Sequence, residues 1–110
     1  MISELKENHV LIVDEKDNMC GFAGFLEGIF EQFENKNLIV DLLKYKDATL
    51  KDLLCFLELS NKHRATKRSF VIVNDSLSAG EIPDELLVVP TIQEAEDVIQ
   101  MEEIERDLGF

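Results

Sequence analysis

Residues 38–59, LIVDLLKYKDATLKDLLCFLEL, constrain the fold more than any other stretch of the chain. Their first part, residues 38–40, is a compact apolar and β-prone run, which predicts a buried strand. From Leu50 onward the apolar residues change to helical spacing, which predicts an amphipathic helix. The polar turn between the two, residues 46–49, therefore places the Thr49 hydroxyl where a strand ends and a helix begins. Open α/β proteins usually bind ligands and partners at such a place.

The rest of the chain also alternates between strand and helix patterns. Short apolar runs predict strands at residues 2–6, 10–13, 69–74 and 86–89. Apolar residues at helical spacing predict a helix over residues 22–33. The order ββαβαββα predicts one α/β domain, residues 1–110, with a mixed, mainly parallel sheet covered by amphipathic helices. The pattern Thr91-x-x-Glu94 predicts a capping box that opens the last helix, whose inward-facing residues would be Ile92, Ala95, Val98, Ile99 and Met101.

Composition and charge narrow the classes of function. The chain is 45% hydrophobic, as expected of a packed domain, and its 23 acidic and 11 basic residues give a net charge of -12. An acidic surface repels nucleic-acid phosphates and anionic lipids, which argues against nucleic-acid and membrane partners. No apolar run approaches the ~20 residues needed to cross a bilayer, and the first residues do not resemble a signal peptide. We therefore expect a soluble, cytoplasmic protein.

Cysteine and histidine usage gives no sign of a metal or another cofactor. Cys20 and Cys55 lie far apart and form no CxxC pattern, so we expect free, buried thiols in a reducing compartment. His9 and His63 have no neighbours at the spacing of metal ligands. The sequence thus predicts neither a metal site nor a cofactor.

Three short motifs are spread along the chain: IVDL at residues 39–42, DATL at residues 47–50 and TIQEA at residues 91–95. Their types and order resemble the STAS family, the sulfate transporter and anti-sigma factor antagonist domains. That family has a strand of the type v-x-D-L, a D-S-S/T-G turn that opens a helix, and a last helix that often starts T-x-x-E-A. Ala48 and Leu50 stand where the family turn has serine and glycine. The resemblance covers nearly the whole chain and implies a STAS-like fold.

The resemblance also implies a function. It suggests a regulatory protein-interaction module without catalysis of its own, whose partner would be a protein such as an anti-sigma factor or a kinase. In the bacterial antagonist branch, a partner kinase phosphorylates the second hydroxyl of the turn, a position that Thr49 matches here. Asp47 matches the aspartate that precedes it. With Lys51 and Asp52 of the following helix, these residues form the predicted partner-binding surface.

Thr49 has a structural explanation as well. A threonine at the N-cap accepts a hydrogen bond from the first helical turn, worth about 1 kcal/mol, and Asp52 lies at the third position beyond it. The two roles are compatible. A phosphate on Thr49 would gain from the helix dipole but would meet the carboxylates of Asp47 and Asp52.

Other classes of function stay open from the sequence. An enzyme or small-ligand binder could use the loop at residues 75–85, although the sequence offers it no nucleophile–base pair or metal set. A structural subunit or a homodimer is a further alternative. The basic group at residues 62–68 is either a docking patch or a complement to a helix dipole. The acidic tail at residues 102–107, which precedes Leu108-Gly109-Phe110, is either a solvated face or a docking element.

Overall fold

Five strands form one sheet, and their spatial order β1-β2-β3-β4-β5 follows the chain. The computed structural model describes residues 1–109, without the side chain of Ala79. The strands are β1 (Ile2–Leu5), β2 (Val10–Val13), β3 (Leu38–Asp41), β4 (Phe70–Val73) and β5 (Val88–Val89). The helices are α1 (Met19–Gly28), α2 (Leu50–Leu54), α3 (Leu57–Arg64) and α4 (Ile92–Asp107), with 3₁₀ turns at Phe30–Gln32 and Ala79–Glu81.

The sheet is mixed and mainly parallel, which confirms the prediction. β1 pairs with β2 in the antiparallel sense, with Leu5 opposite Val10. The other pairs are parallel, and their register aligns Val10, Leu38 and Phe70 across the sheet. Because the parallel strands point the same way, the residues that follow β2, β3 and β4 meet at one edge, which we call the carboxyl edge.

Side chains alternate between the two faces of the sheet, and both faces are covered. On one face Leu38 and Val40 pack with buried residues of α1, α2 and α3. On the other face Ile39 packs with Ala95 and Ile99 of α4. This alternation follows from the period-2 geometry of a strand, and the coverage on both faces explains why β2, β3 and β4 are almost continuously apolar, whereas the edge strand β1 is exposed. The single α/β domain that the sequence predicts is thus confirmed.

Three local expectations are wrong. The helix predicted over residues 22–33 begins at Met19, where the Asn18 side chain accepts from the N–H of Gly21, but it ends at Gly28, before the 3₁₀ turn at Phe30–Gln32. The predicted central helix divides into α2 and α3, and the N–H of Cys55 bonds the carbonyl of residue 52 in the tighter i→i−3 pattern. Met101 is 63% exposed, so it lies on the outer side of α4.

The two cysteines form a disulfide, which corrects the expectation of free, buried thiols. Cys20 is exposed in α1, and Cys55 is half-buried directly after α2. Their Cα atoms lie 5.2 Å apart, within the range that a disulfide requires. The pairing could not be inferred from sequence spacing, since it depends on how α1 and α2 pack on the same face of the sheet.

No helix within residues 1–109 combines the length and the apolar character that crossing a membrane requires.

Candidate functional site

The turn between β3 and α2 lies at the carboxyl edge of the sheet. The N–H of Leu42 donates to the carbonyl of Val73 at 2.9 Å, so the β3–β4 pairing continues one residue beyond the strands. The side chain of Asp41 then accepts from the N–H of Leu43 at 3.0 Å and bends the chain away from the sheet. Residues 43–49 therefore lie beyond the carboxyl ends of the strands and connect β3 to α2, as the sequence predicts for a strand-to-helix turn.

A buried amide holds this turn from beneath. Asn74, which follows β4 and is 2% exposed, donates through Nδ2 to the carbonyls of Leu42 at 2.9 Å and Tyr45 at 3.0 Å. The Ser76 hydroxyl donates to the same Tyr45 carbonyl at 2.7 Å. Asn74 Oδ1 in turn accepts from the N–H of Ser76 at 2.9 Å. Three side-chain hydrogen bonds thus join the turn to the residues that follow β4, and the fourth, from Ser76 to Asn74, orders those residues themselves.

A second contact joins the turn to the end of β2. The Tyr45 hydroxyl donates to the buried carboxylate of Asp14, and it also lies 2.8 Å from the carbonyl of Lys16. Burial, together with the hydrogen bond to Asp14, raises the pKa of Tyr45, because both disfavour the phenolate. The phenol therefore stays protonated and acts as a structural donor at this edge.

The helix that follows the turn begins with a complete capping box. Thr49 Oγ1 accepts from the N–H of Asp52 at 3.3 Å, and Asp52 Oδ2 accepts from the N–H of Thr49 at 3.1 Å. The structural explanation for Thr49 is confirmed. Ala48, beside it, is 6% exposed and belongs to the core, so the serine that the STAS turn has at this position would be buried here.

The four predicted surface residues lie together around this cap. Asp47, Thr49 and Lys51 are exposed, and Asp52 is half-buried. We call these four residues the turn surface. The sequence reasoning missed the residues that support it, which are Asp14, Tyr45, Asn74 and Ser76. A sequence signal exists for two of them, because Asp14 and Asn74 are polar residues that directly follow the apolar strands β2 and β4.

The loop that the alternative function would use encloses a small cavity. It measures about 240 Å³, and its lining combines the apolar Leu77, Ile82, Val88 and Pro90 with the polar Asn74, Asp75 and Ser78. Pockets for small organic ligands usually measure about 300–1,000 Å³. A larger cavity of about 510 Å³ lies beside Glu31 and Lys62, away from the turn. Among residues 1–109, no three His, Cys, Asp or Glu side chains are arranged to hold a metal ion.

The basic group and the acidic tail contact each other. His63 is fully buried, and Arg64 pairs with Glu102 of α4 at 3.2 Å. Arg106 donates to Asn37 Oδ1 at 3.2 Å, and Glu103 accepts from Asn8 at 3.1 Å. Part of the tail is therefore bonded to the domain rather than solvated. Phe110, the end of the suggested docking element, lies outside the described residues.

Neither protein-family models nor curated protein sequences give a match to this chain. The turn surface must therefore be interpreted from its own geometry. It presents an exposed hydroxyl, two carboxylates and an ammonium group, on a turn whose first part is held by the buried amide of Asn74 at Leu42 and Tyr45.

Proposed function

We propose that the chain is a non-catalytic, STAS-like protein-interaction module that binds a protein partner through the turn surface. The observation that supports this best is the contrast between the exposed side chains of the turn surface and the buried Asn74 beneath them. A turn whose backbone is already ordered loses less conformational entropy when a partner binds, so more of the contact energy contributes to affinity. By the STAS resemblance the partner is an anti-sigma factor or a kinase, and the setting is the cytoplasm.

Phosphorylation of Thr49 is the proposed regulation. A phosphate adds about −1.5 to −2 charges at neutral pH. It would stand beside Asp52 Oδ2, which lies 3.1 Å from the Thr49 nitrogen, and close in sequence to Asp47. The added repulsion would open the capping box and make the turn surface strongly anionic. Both effects alter the surface that the partner contacts.

The test compares affinity purifications from the native host. The tagged wild type is compared with Thr49→Ala and with Thr49→Glu, which imitates the added charge. Thr49→Ser is the matched control at the same site, because it keeps both the hydroxyl and the cap. Thr91→Glu is the matched control elsewhere, since Thr91 caps α4 through the N–H of Glu94 at 3.1 Å. We expect Thr49→Glu to change partner recovery, and Thr49→Ser and Thr91→Glu to leave it unchanged.

The outcomes separate the two parts of the proposal. Equal recovery by all variants would refute the switch at Thr49 while leaving an interaction module. Failure of Asp47→Ala and Lys51→Ala to reduce recovery would refute the turn surface as the binding site. Intact-mass analysis of the native protein that finds Thr49 unmodified in all growth conditions would also contradict the phosphorylation.

A further inference from the structure

We propose that Cys20 and Cys55 form a reversible oxidative-modification site, which closes by exchange with a low-molecular-weight disulfide of the glutathione class. This inference does not depend on the partner or on the turn surface. It concerns the exposed Cys20 of α1 and the half-buried Cys55 directly after α2, and both redox states can be measured on the purified chain.

The backbone is already positioned for the bond. The two Cα atoms lie 5.2 Å apart, across a sequence separation of 35 residues, and disulfides typically span about 4.4–6.8 Å between these atoms. Cys20 is exposed and Cys55 is half-buried. A small thiol or disulfide reagent can therefore reach Cys20 while the domain stays folded.

The helix ends give the two sulfurs different roles. Cys20 lies in the first turn of α1, where the positive end of the helix dipole stabilises a thiolate, the form that attacks disulfides. That turn, MCGF, contains no carboxylate. Cys55 follows the last residue of α2, and its Sγ lies 3.8 Å from the carbonyl of Lys51, a group that favours the protonated thiol. We therefore assign Cys20 as the attacking sulfur and Cys55 as the resolving sulfur.

The core beneath the pair does not need the bond. Phe22 of α1 packs edge-to-face against Phe56, with ring centroids 6.5 Å apart. Leu26 of α1 and Leu53 of α2 are both buried in the same cluster. Because these contacts hold α1 beside α2, opening the disulfide leaves the helices packed. Both redox states are then folded, as a reversible site requires.

The exchange balances in two steps. The Cys20 thiolate attacks one sulfur of the oxidised reagent, forming a mixed disulfide and releasing one reagent thiolate, which takes up a proton. Cys55 loses its proton and attacks the Cys20 sulfur, forming the Cys20–Cys55 bond and releasing the second reagent thiol. In total the protein dithiol is oxidised by two electrons, and one reagent disulfide is reduced to two thiols.

The experiment equilibrates the purified full chain in glutathione buffers ranging from fully reduced to fully oxidised. Alkylation followed by intact-mass analysis then counts free thiols. We expect two alkyl groups per chain in reduced glutathione, none in the oxidised buffer, and full recovery when reduced glutathione is restored. In Cys55→Ser, glutathione should remain attached to Cys20. In Cys20→Ser, the Cys55 thiol should react with oxidised glutathione at least about threefold more slowly than the Cys20 thiol does in Cys55→Ser. The larger thiolate fraction of Cys20 should outweigh the lower nucleophilicity that accompanies it.

Circular dichroism of the wild type in both buffers provides the control for folding. Matching spectra together with reversible loss of both thiols would support the proposal, even if a variant fails to fold. Three results would overturn it: no bond in oxidised glutathione, a bond that excess reduced glutathione cannot open, or a reduced chain that unfolds. Equal reaction rates of the two single variants would overturn the assigned order of attack.

Discussion

Replacing Asn74 with alanine should destabilise the domain, although Asn74 bonds the backbone of Leu42 and Tyr45 and none of the four residues of the turn surface. The substitution removes two donated bonds, to the carbonyls of Leu42 and Tyr45, and one accepted bond from the N–H of Ser76. Neither carbonyl loses every donor. The Leu42 carbonyl keeps the N–H of Tyr45 at 3.1 Å, and the Tyr45 carbonyl keeps the Ser76 hydroxyl at 2.7 Å. The cost is therefore that of three ordinary bonds, roughly 3 kcal/mol in total.

Urea unfolding followed by circular dichroism measures this loss. With a slope m of about 1.5 kcal/mol/M, the midpoint for Asn74→Ala should fall by roughly 2 M. Ser76→Ala is the matched control, because it removes only the hydroxyl bond to the Tyr45 carbonyl. Its expected cost is about 1 kcal/mol. A domain of this kind is stable by only about 5–15 kcal/mol, so the difference between the two variants is easily resolved.

Equal losses in the two variants would refute the reasoning, because they would mean that the amide of Asn74 does not support the turn. A second measurement is local. Amide hydrogen exchange across residues 42–49 should accelerate in Asn74→Ala more than exchange in α4, which packs on the other face of the sheet. Uniform acceleration throughout the chain would instead indicate global destabilisation without a local effect on the turn.

Three further predictions concern the cap, the core and a buried histidine. Thr49→Ala should lose about 1 kcal/mol of unfolding free energy and Thr49→Ser far less, because the hydroxyl makes the cap; urea unfolding measures both. Phe56→Ala should lose about 3–5 kcal/mol, since Phe56 is fully buried, whereas Phe25→Ala, at a half-exposed site, should lose much less. Burial lowers the pKa of His63 below its usual 6.5, so the unfolded chain binds the proton more readily. The contribution of His63 to the free energy of unfolding should thus be fully present above pH 6.5 and should be lost as the pH falls below it.

The controls for these predictions are specific. The carbonyl of Lys36 lies 2.6 Å from His63 Nε2 and can only accept, so that nitrogen carries the hydrogen. His63→Gln keeps a donor but cannot titrate, and it should flatten the pH profile, leaving a residual slope from His9, whose pKa burial also lowers. A wild-type profile that is flat between pH 5 and pH 7 would contradict the prediction for His63. A loss in Thr49→Ser that equals the loss in Thr49→Ala would contradict the cap.

The sequence predicts best what depends on neighbouring residues in the chain. The strand at Val10–Val13 has its predicted bounds, and Thr49 caps α2 through a residue three positions away. Thr91 likewise accepts from the N–H of Glu94, which is one of the two hydrogen bonds of the capping box predicted at the start of α4. Such features need only the local backbone, and their signals lie within a few residues.

Features that depend on the packing of distant elements escaped prediction. The disulfide joins residues 35 positions apart, and nothing in the spacing of the cysteines reveals which helices will be neighbours. Met101 is a different case: the sequence prediction counts it as inward-facing because it is apolar, although it lies two residues after Ile99, which packs on the sheet with Ala95. Residues two positions apart lie on nearly opposite sides of an α-helix, so helical periodicity itself places Met101 on the exposed side.

The same distinction bears on the proposed interaction surface. Thr49 and Asp52 order the start of α2 through local bonds. The position of the preceding residues depends instead on Asn74, which follows β4 and bonds the carbonyls of Leu42 and Tyr45. A substitution at Asn74 should therefore reduce partner binding without removing any atom that the partner touches. If Asn74→Ala retained full binding at a temperature where it stays folded, the support beneath the turn would matter for stability alone. Binding would then depend on the turn surface side chains and on the Thr49 cap.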